Sequence, residues 1–157
     1  MCDPDDRTGT RAEPASMAAE MRCTGAALRR ASRRLTQFYD DAMKPTGLRL
    51  TQYSVLNALA QAEDPSITDL AETLMMDRTT LTRNLRPLEL AGWVRLGPGA
   101  DARSRAVTLS EDGRRVLEAA RPVWRQAEIA VRERLGSDGG RALRRLLAEA
   151  SAAMAAD

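Results

Sequence analysis

A chain of 157 residues suits one domain, or a compact core with helical extensions, and leaves no room for a second catalytic domain. Its 24 basic and 22 acidic residues leave a net charge of only +2, so a nucleic-acid role must rest on how the charge is distributed. With no histidine and only Cys2 and Cys23, His-based triads, HExxH zinc sites, Cys-rich zinc centres and a disulfide framework are all excluded, and no cofactor is expected.

Aromatic residues make up 3% of the chain while Ala, Leu and Arg abound, which predicts a mainly α fold. No apolar run approaches the ~18 residues that span a bilayer, and the acidic, polar N-terminus lacks the apolar stretch of a signal peptide. A soluble cytoplasmic protein without a membrane partner is expected.

Residues 1–14 mix Pro, Gly and charge without periodicity and read as a disordered tail. From Ala15 to Met43 the chain runs free of proline, with Met21, Leu28, Leu35 and Ala42 spaced by seven and Ala31 and Phe38 between them. This predicts a long helix with a packing seam, closed by Pro45 and Gly47. At ~1.5 Å per residue it would exceed a small core, so the 15–47 segment is expected to dimerise; packing only on the chain's own C-terminal helices is the alternative.

The 48–112 segment carries a denser set of signals. Thr51 is positioned to cap a helix bearing Tyr53, Val55, Leu56 and Leu59, and Asp64-Pro65 ends it. Thr68 is positioned to cap a short helix through Leu74. Asp77 then caps a third, with Met76 and Leu81 at the hydrophobic-staple positions and Gly92 to close it. Trp93–Leu96 and Ala106–Leu109 read as two strands around a basic tip, GPGADARSR.

Ser110, with Glu111 and Asp112 behind it, starts the next helix. The 113–157 segment is helical with a break at Gly136–Gly140, giving two C-terminal dimerisation helices.

Helix, short helix, tight turn, helix, hairpin and helix is the plan of a winged helix-turn-helix. It sends the helix after Asp77 into the major groove and makes Arg78, Thr79, Thr80, Thr82, Arg83 and Arg86 candidate DNA contacts, with Leu81, Leu85 and Leu88 facing the core. From Asp77 to Arg105 six arginines oppose three acids, a net +3 in 29 residues against +2 for the whole chain. Positive charge is concentrated where the plan places phosphate; a solvated helix face would carry a similar run. Pro87 interrupts this helix and either kinks it, turning Leu88 and Leu90 to the core, or ends it early.

Three segments, GLRLTQYSVLNAL, ITDLAETLMMDRTTLTRNLRPLELAGWV and DARSRAVTLSEDGRRVLE, resemble the MarR family of multiple-antibiotic-resistance regulators, from about Met17 to the C-terminus. The third is the most specific: Asp101 and Arg103 match the family's D-x-R wing, followed by Leu109-Ser110 and Gly113. The resemblance implies a homodimeric repressor, not an enzyme, that binds a pseudo-palindromic double-stranded operator. Arg103 would enter the minor groove, oriented by Asp101, with Arg105 on phosphate or supporting the wing.

The resemblance also implies a small-molecule effector, phenolic or otherwise aromatic, in a cleft near Tyr39, Met43, Leu48 and Tyr53. Core packing of the two tyrosines is the alternative. Organic-hydroperoxide sensors of the family carry a cysteine early in the first helix, which makes Cys23 a redox candidate. A small, buried structural cysteine is the preferred reading, because the aromatic surroundings of those sensors are missing. In a different functional class, the winged domain would serve as a protein-interaction module with an acidic partner.

Overall fold

The computed structural model describes residues 23–99 and 105–155. The chain divides into two units, 1–36 and 37–157. The described part of the first unit is Cys23 and residues 24–36 of helix α1, Thr24–Met43; there Leu28 is 48% exposed and Leu35 half-buried. The part of the expected helix that precedes Cys23 lies outside the described residues, as does the tail. Among the described residues no helix is long and apolar enough to cross a membrane.

The second unit holds the core. After α1 a single 3-10 turn, Lys44–Thr46, ends at Gly47, and α2 runs Leu50–Leu59. Thr51 does not cap it, since the helix has already begun. The Asp40 carboxylate accepts from the Leu50 amide at 2.7 Å, and Gln52 accepts from the Arg49 amide at 2.9 Å. Helix α3, Ile67–Thr73, is capped by Ser66 rather than Thr68. Ser66 Oγ accepts from the Asp69 amide, and Asp69 accepts from the Ser66 amide, both at 3.1 Å, which satisfies two first-turn donors reciprocally.

Helix α4, Arg78–Leu90, begins at Asp77 as expected, with Leu81, Leu85 and Leu88 fully buried. Each buried leucine contributes roughly 1.5–3 kcal/mol by leaving water. The helix continues through Pro87, and the Ala91 amide again reaches a carbonyl four residues back, that of Pro87. Leu90 does not turn to the core and is 81% exposed. At about 100° per residue it shares the face of Arg83, seven residues earlier, away from the buried stripe. Gly92, at φ 74°, closes the helix: its amide reaches Glu89 O and the Trp93 amide reaches Leu88 O. This double bond requires a left-handed residue, which glycine adopts without strain.

The hairpin pairs β1, Val94–Pro98, with β2, Arg105–Leu109, antiparallel, Val94 opposite Leu109 and Leu96 opposite Val107. Both strands reach farther toward the tip than expected, and Trp93 stays outside β1. Helix α5, Glu111–Met154, contains one non-helical residue, Gly136, at φ 75° and ψ 165°. The break expected across Gly136–Gly140 is there, narrowed to a single residue. The fold is therefore mainly α with a two-stranded wing.

Candidate nucleic-acid interface

The α3–α4 turn is short. Leu74 ends α3, and Met75 takes a left-handed conformation at φ 51°. The amides of Met75 and Met76 reach back to Glu72 O and Ala71 O, and the very next residue, Asp77, caps α4. Its carboxylate accepts from the Thr80 amide at 2.8 Å and from the Thr80 hydroxyl at 2.5 Å.

Those bonds to the charged form hold the Asp77 carboxyl below its ordinary 3.8. Because the folded-state value is depressed, the cap's stabilisation is complete above that ordinary value. It is lost as pH falls through the lower, folded-state one. In an acid titration followed by circular dichroism, Asp77→Asn, which keeps an acceptor and does not titrate, is expected to lose less helix than the parent. Coincident acid limbs would remove Asp77 from the account.

All six residues expected on the reading face, Arg78, Thr79, Thr80, Thr82, Arg83 and Arg86, are exposed. They are not equivalent. The Thr80 hydroxyl is occupied by Asp77, and the Thr82 hydroxyl donates to Arg78 O at 2.8 Å. The Arg83 and Arg86 guanidiniums have no partner among the described residues. Thr79 and Arg83 project farthest from the Leu81–Leu85–Leu88 stripe, so Arg83 is the free, forked donor set that points straight out.

In the wing, Asp101 and Arg103 lie outside the described residues. Arg105 pairs with Pro98 and is exposed. Strand alternation puts it on the face of Val107 and Leu109, beyond their burial. Arg95, opposite Thr108 and exposed, lies on the other face. The sequence reading passed over Arg95, although alternation with Val94 and Leu96 marks it as outward.

Wing, α4 and α5 meet at Ser110, the buried polar residue of this region at 8% exposure. Its hydroxyl donates to Gly92 O at 2.6 Å and accepts from the Gly113 amide at 3.0 Å, while its amide donates to Trp93 O at 3.0 Å. One side chain thus caps α5 and ties it to the end of α4.

The four residues expected near an effector are placed differently from one another. Met43 and Leu48 are core residues at 0% and 2% exposure. Tyr39 donates to Glu128 Oε2 at 2.5 Å, and burial with the adjacent carboxylate pushes its hydroxyl well above the usual tyrosine range. Tyr53 stacks on Trp124, with ring centroids 5.4 Å apart and planes 16° from parallel. That pair borders two neighbouring recesses of about 480 and 450 Å³, a size suited to a small ligand. Trp124, Arg121 and Arg125 escaped the sequence reading, because nothing local joins position 53 to position 124. Cys23 is free and exposed, which corrects the expectation of a buried thiol: it precedes the first turn of α1 and packs in no core.

Element order and the exposed basic face of α4 define a winged helix-turn-helix DNA-binding protein. A model of the MarR family matches residues 46–104. The chain is 38% identical to the M. tuberculosis transcriptional regulator MosR, solved in complex with DNA, at a TM-score of 0.76 over 85% of this chain and 97% of that one. It is 29% identical to the transcriptional repressor CouR bound to a 23-mer DNA duplex, at a TM-score of 0.76 over 86% and 96% of the two chains. CouR has also been solved bound to p-coumaroyl-CoA.

Over 81 residues, 49% of this chain and 46% of the other, it is 40% identical to the transcriptional activatory protein BadR of Rhodopseudomonas palustris. The chain spans about half to two thirds of the length of the curated relatives it matches. The chain belongs to the MarR family and is a DNA-binding transcriptional regulator.

Proposed function

We propose that this regulator is a homodimeric repressor that reads a pseudo-palindromic operator with α4, steadies itself through the wing, and is released by a small aromatic effector. The observation that carries the reading is the outward Thr79–Arg83–Arg86 face of α4, backed by three fully buried leucines. A rigid, unpaired arginine fork on a helix is what bidentate guanine recognition needs. Dimerisation is supported by apolar side chains left in solvent along α5: Ile129, Leu135, Leu146 and Met154. That much unpartnered apolar surface favours a second copy. The aromatic effector is supported by the Tyr53–Trp124 recesses and by CouR, which binds an aromatic thioester.

Selection from a random duplex pool, with the mass of the free protein measured in parallel, tests this. Half-sites about 10 base pairs apart and a dimeric mass are expected. Failure to enrich any sequence, or a monomer that binds the operator unaided, would refute it. A screen of phenolic and aryl compounds for operator release tests the effector arm. Transcription from an operator-bearing promoter separates a repressor from an activator.

A further inference from the structure

Helix α5 turns at a residue that does not fix an angle by itself. Gly136, at φ 75° and ψ 165°, occupies a region open essentially to glycine alone, and glycine leaves it at little cost. The two arms that meet there, 111–135 and 137–154, are attached differently. The first belongs to the DNA-binding head: Ser110 ties its start to the end of α4, and Leu117 and Ala120 are buried in the core. The second carries Leu146 and Met154 in solvent, on the surface that the dimer reading gives to a second copy. We propose that Glu128 is a positioning residue that sets the angle between these arms, and through it the half-site spacing that the dimer accepts. The proposal rests on the dimer and operator reading above and adds the residue that sets the operator's geometry.

The Glu128 side chain is only 18% exposed and is reached from three elements. The Tyr39 hydroxyl donates to Oε2 at 2.5 Å, while Arg132 Nε and Arg144 Nη1 donate to Oε1 at 3.2 and 3.5 Å. Glu128 and Arg144 lie eight positions either side of Gly136. On an unbroken helix they would be ~24 Å apart, so their bond exists only while the arms are folded back on one another. Gly140 is buried inside that fold, where a Cβ would lie 4.0 Å from Arg132 Cγ.

Tyr39 brings the head into the same network. The next residue, Asp40, accepts from the Leu50 amide of α2, and Met43, at the end of the same helix, is fully buried. Arg134, two positions before the joint, lies 4.3 Å over the Phe38 ring and holds the first arm to the same turn of α1. Burial and the Glu128 carboxylate keep the Tyr39 hydroxyl protonated, so it remains a donor at any working pH. A lone exposed pair at 3.5 Å would contribute little, but a mostly buried carboxylate shared by three donors is a network, the case in which ion pairs count.

The lever is long. From Glu111 to Gly136 the first arm runs roughly 37 Å at the helical rise. A change of about 10° at the joint therefore carries the head about 6 Å, against ~3.4 Å for one base pair.

The test uses the full chain, an operator from the duplex selection, the same operator with one base pair added to or removed from its centre, and a duplex with one half-site scrambled. Affinity is read by fluorescence anisotropy and assembly by the mass of the free protein. The parent is expected to lose roughly tenfold on either altered spacing, within the ordinary range of coupling between two sites. In Glu128→Ala that loss should shrink to about threefold or less, with the dimeric mass and the affinity for the scrambled duplex unchanged. Arg144→Gln, at an exposed side chain, cuts the bond across the joint and leaves Tyr39 its acceptor. It should shrink the loss in the same way and guards against misfolding of the first variant.

A parental spacing loss in both variants would overturn the proposal, as would a parent indifferent to spacing. Equal weakening on the scrambled duplex and the operator in both variants would also overturn it, because Glu128 would then support the head alone. Monomeric variants from a dimeric parent would make it an assembly residue and not a spacing one. A dimeric parent with any of these outcomes leaves the dimer reading standing, whereas a monomeric parent that binds the operator defeats both.

Discussion

Replacing Gly113 by alanine is expected to destabilise the protein by roughly 3 kcal/mol and to weaken DNA binding with it. A Cβ at this position would lie 2.1 Å from Trp93 O and 2.8 Å from Leu109 Cδ1. The first contact is with backbone, which cannot rotate away as a side-chain tip would. That carbonyl also accepts from the Ser110 amide, so relieving the clash breaks the bond that joins α5 to the end of α4. The Gly113 amide is itself held by Ser110 Oγ, and any shift of the helix start unmakes the α5 cap as well. Denaturant unfolding measures the loss. Ser110→Ala, which removes the cap without a clash, should cost less, on the order of 1–2 kcal/mol. A Gly113→Ala variant within about 0.5 kcal/mol of the parent would mean that α5 does not enter the joint this way.

Arg83→Ala is expected to cost about 1–3 kcal/mol at the selected operator, roughly a 5- to 150-fold loss, and to relax specificity at one position of each half-site. Arg83 points away from the buried stripe of α4 and is exposed, so its truncation should leave folding intact. Arg103 lies outside the described residues, and its expected role comes from the D-x-R pattern alone. Arg103→Ala should weaken binding to many sequences and flatten the salt dependence, because a minor-groove guanidinium responds to potential rather than to base edges. Titrating both variants across a salt series, with circular dichroism as the control, separates the two effects. Parental affinity and salt slope in both would mean that the DNA-binding surface lies elsewhere.

Which signals were legible follows the range over which each acts. Asp77, Gly92 and Ser110 were readable because a cap or a helix end is closed by amides within a turn of the residue that provides it. The alternation of Leu81, Leu85 and Leu88 with the arginines between them was readable for the same reason. The exposure of Leu90 was also within reach, since it follows Arg83 by two helical turns. Thr51 and Thr68 were plausible local caps that lost to competitors. The Leu50 amide is taken by Asp40, ten residues upstream and on another helix. At α3 the reciprocal pair of Ser66 and Asp69 starts the helix before Thr68 is reached.

The sequence by itself determined the order of elements, the buried stripe and exposed basic face of α4, and membership of a DNA-binding family. All of these are written in spacings of a few residues. Only the tertiary structure decided what the isolated aromatic and reactive side chains do. It set Tyr53 on Trp124 and gave the Tyr39 hydroxyl to Glu128, partners 71 and 89 positions apart. It brought Arg121 and Arg125 to the cleft and left Cys23 in solvent. Such pairings depend on which helix faces meet once the chain is closed, and periodicity within one helix carries no information about the partner across the core.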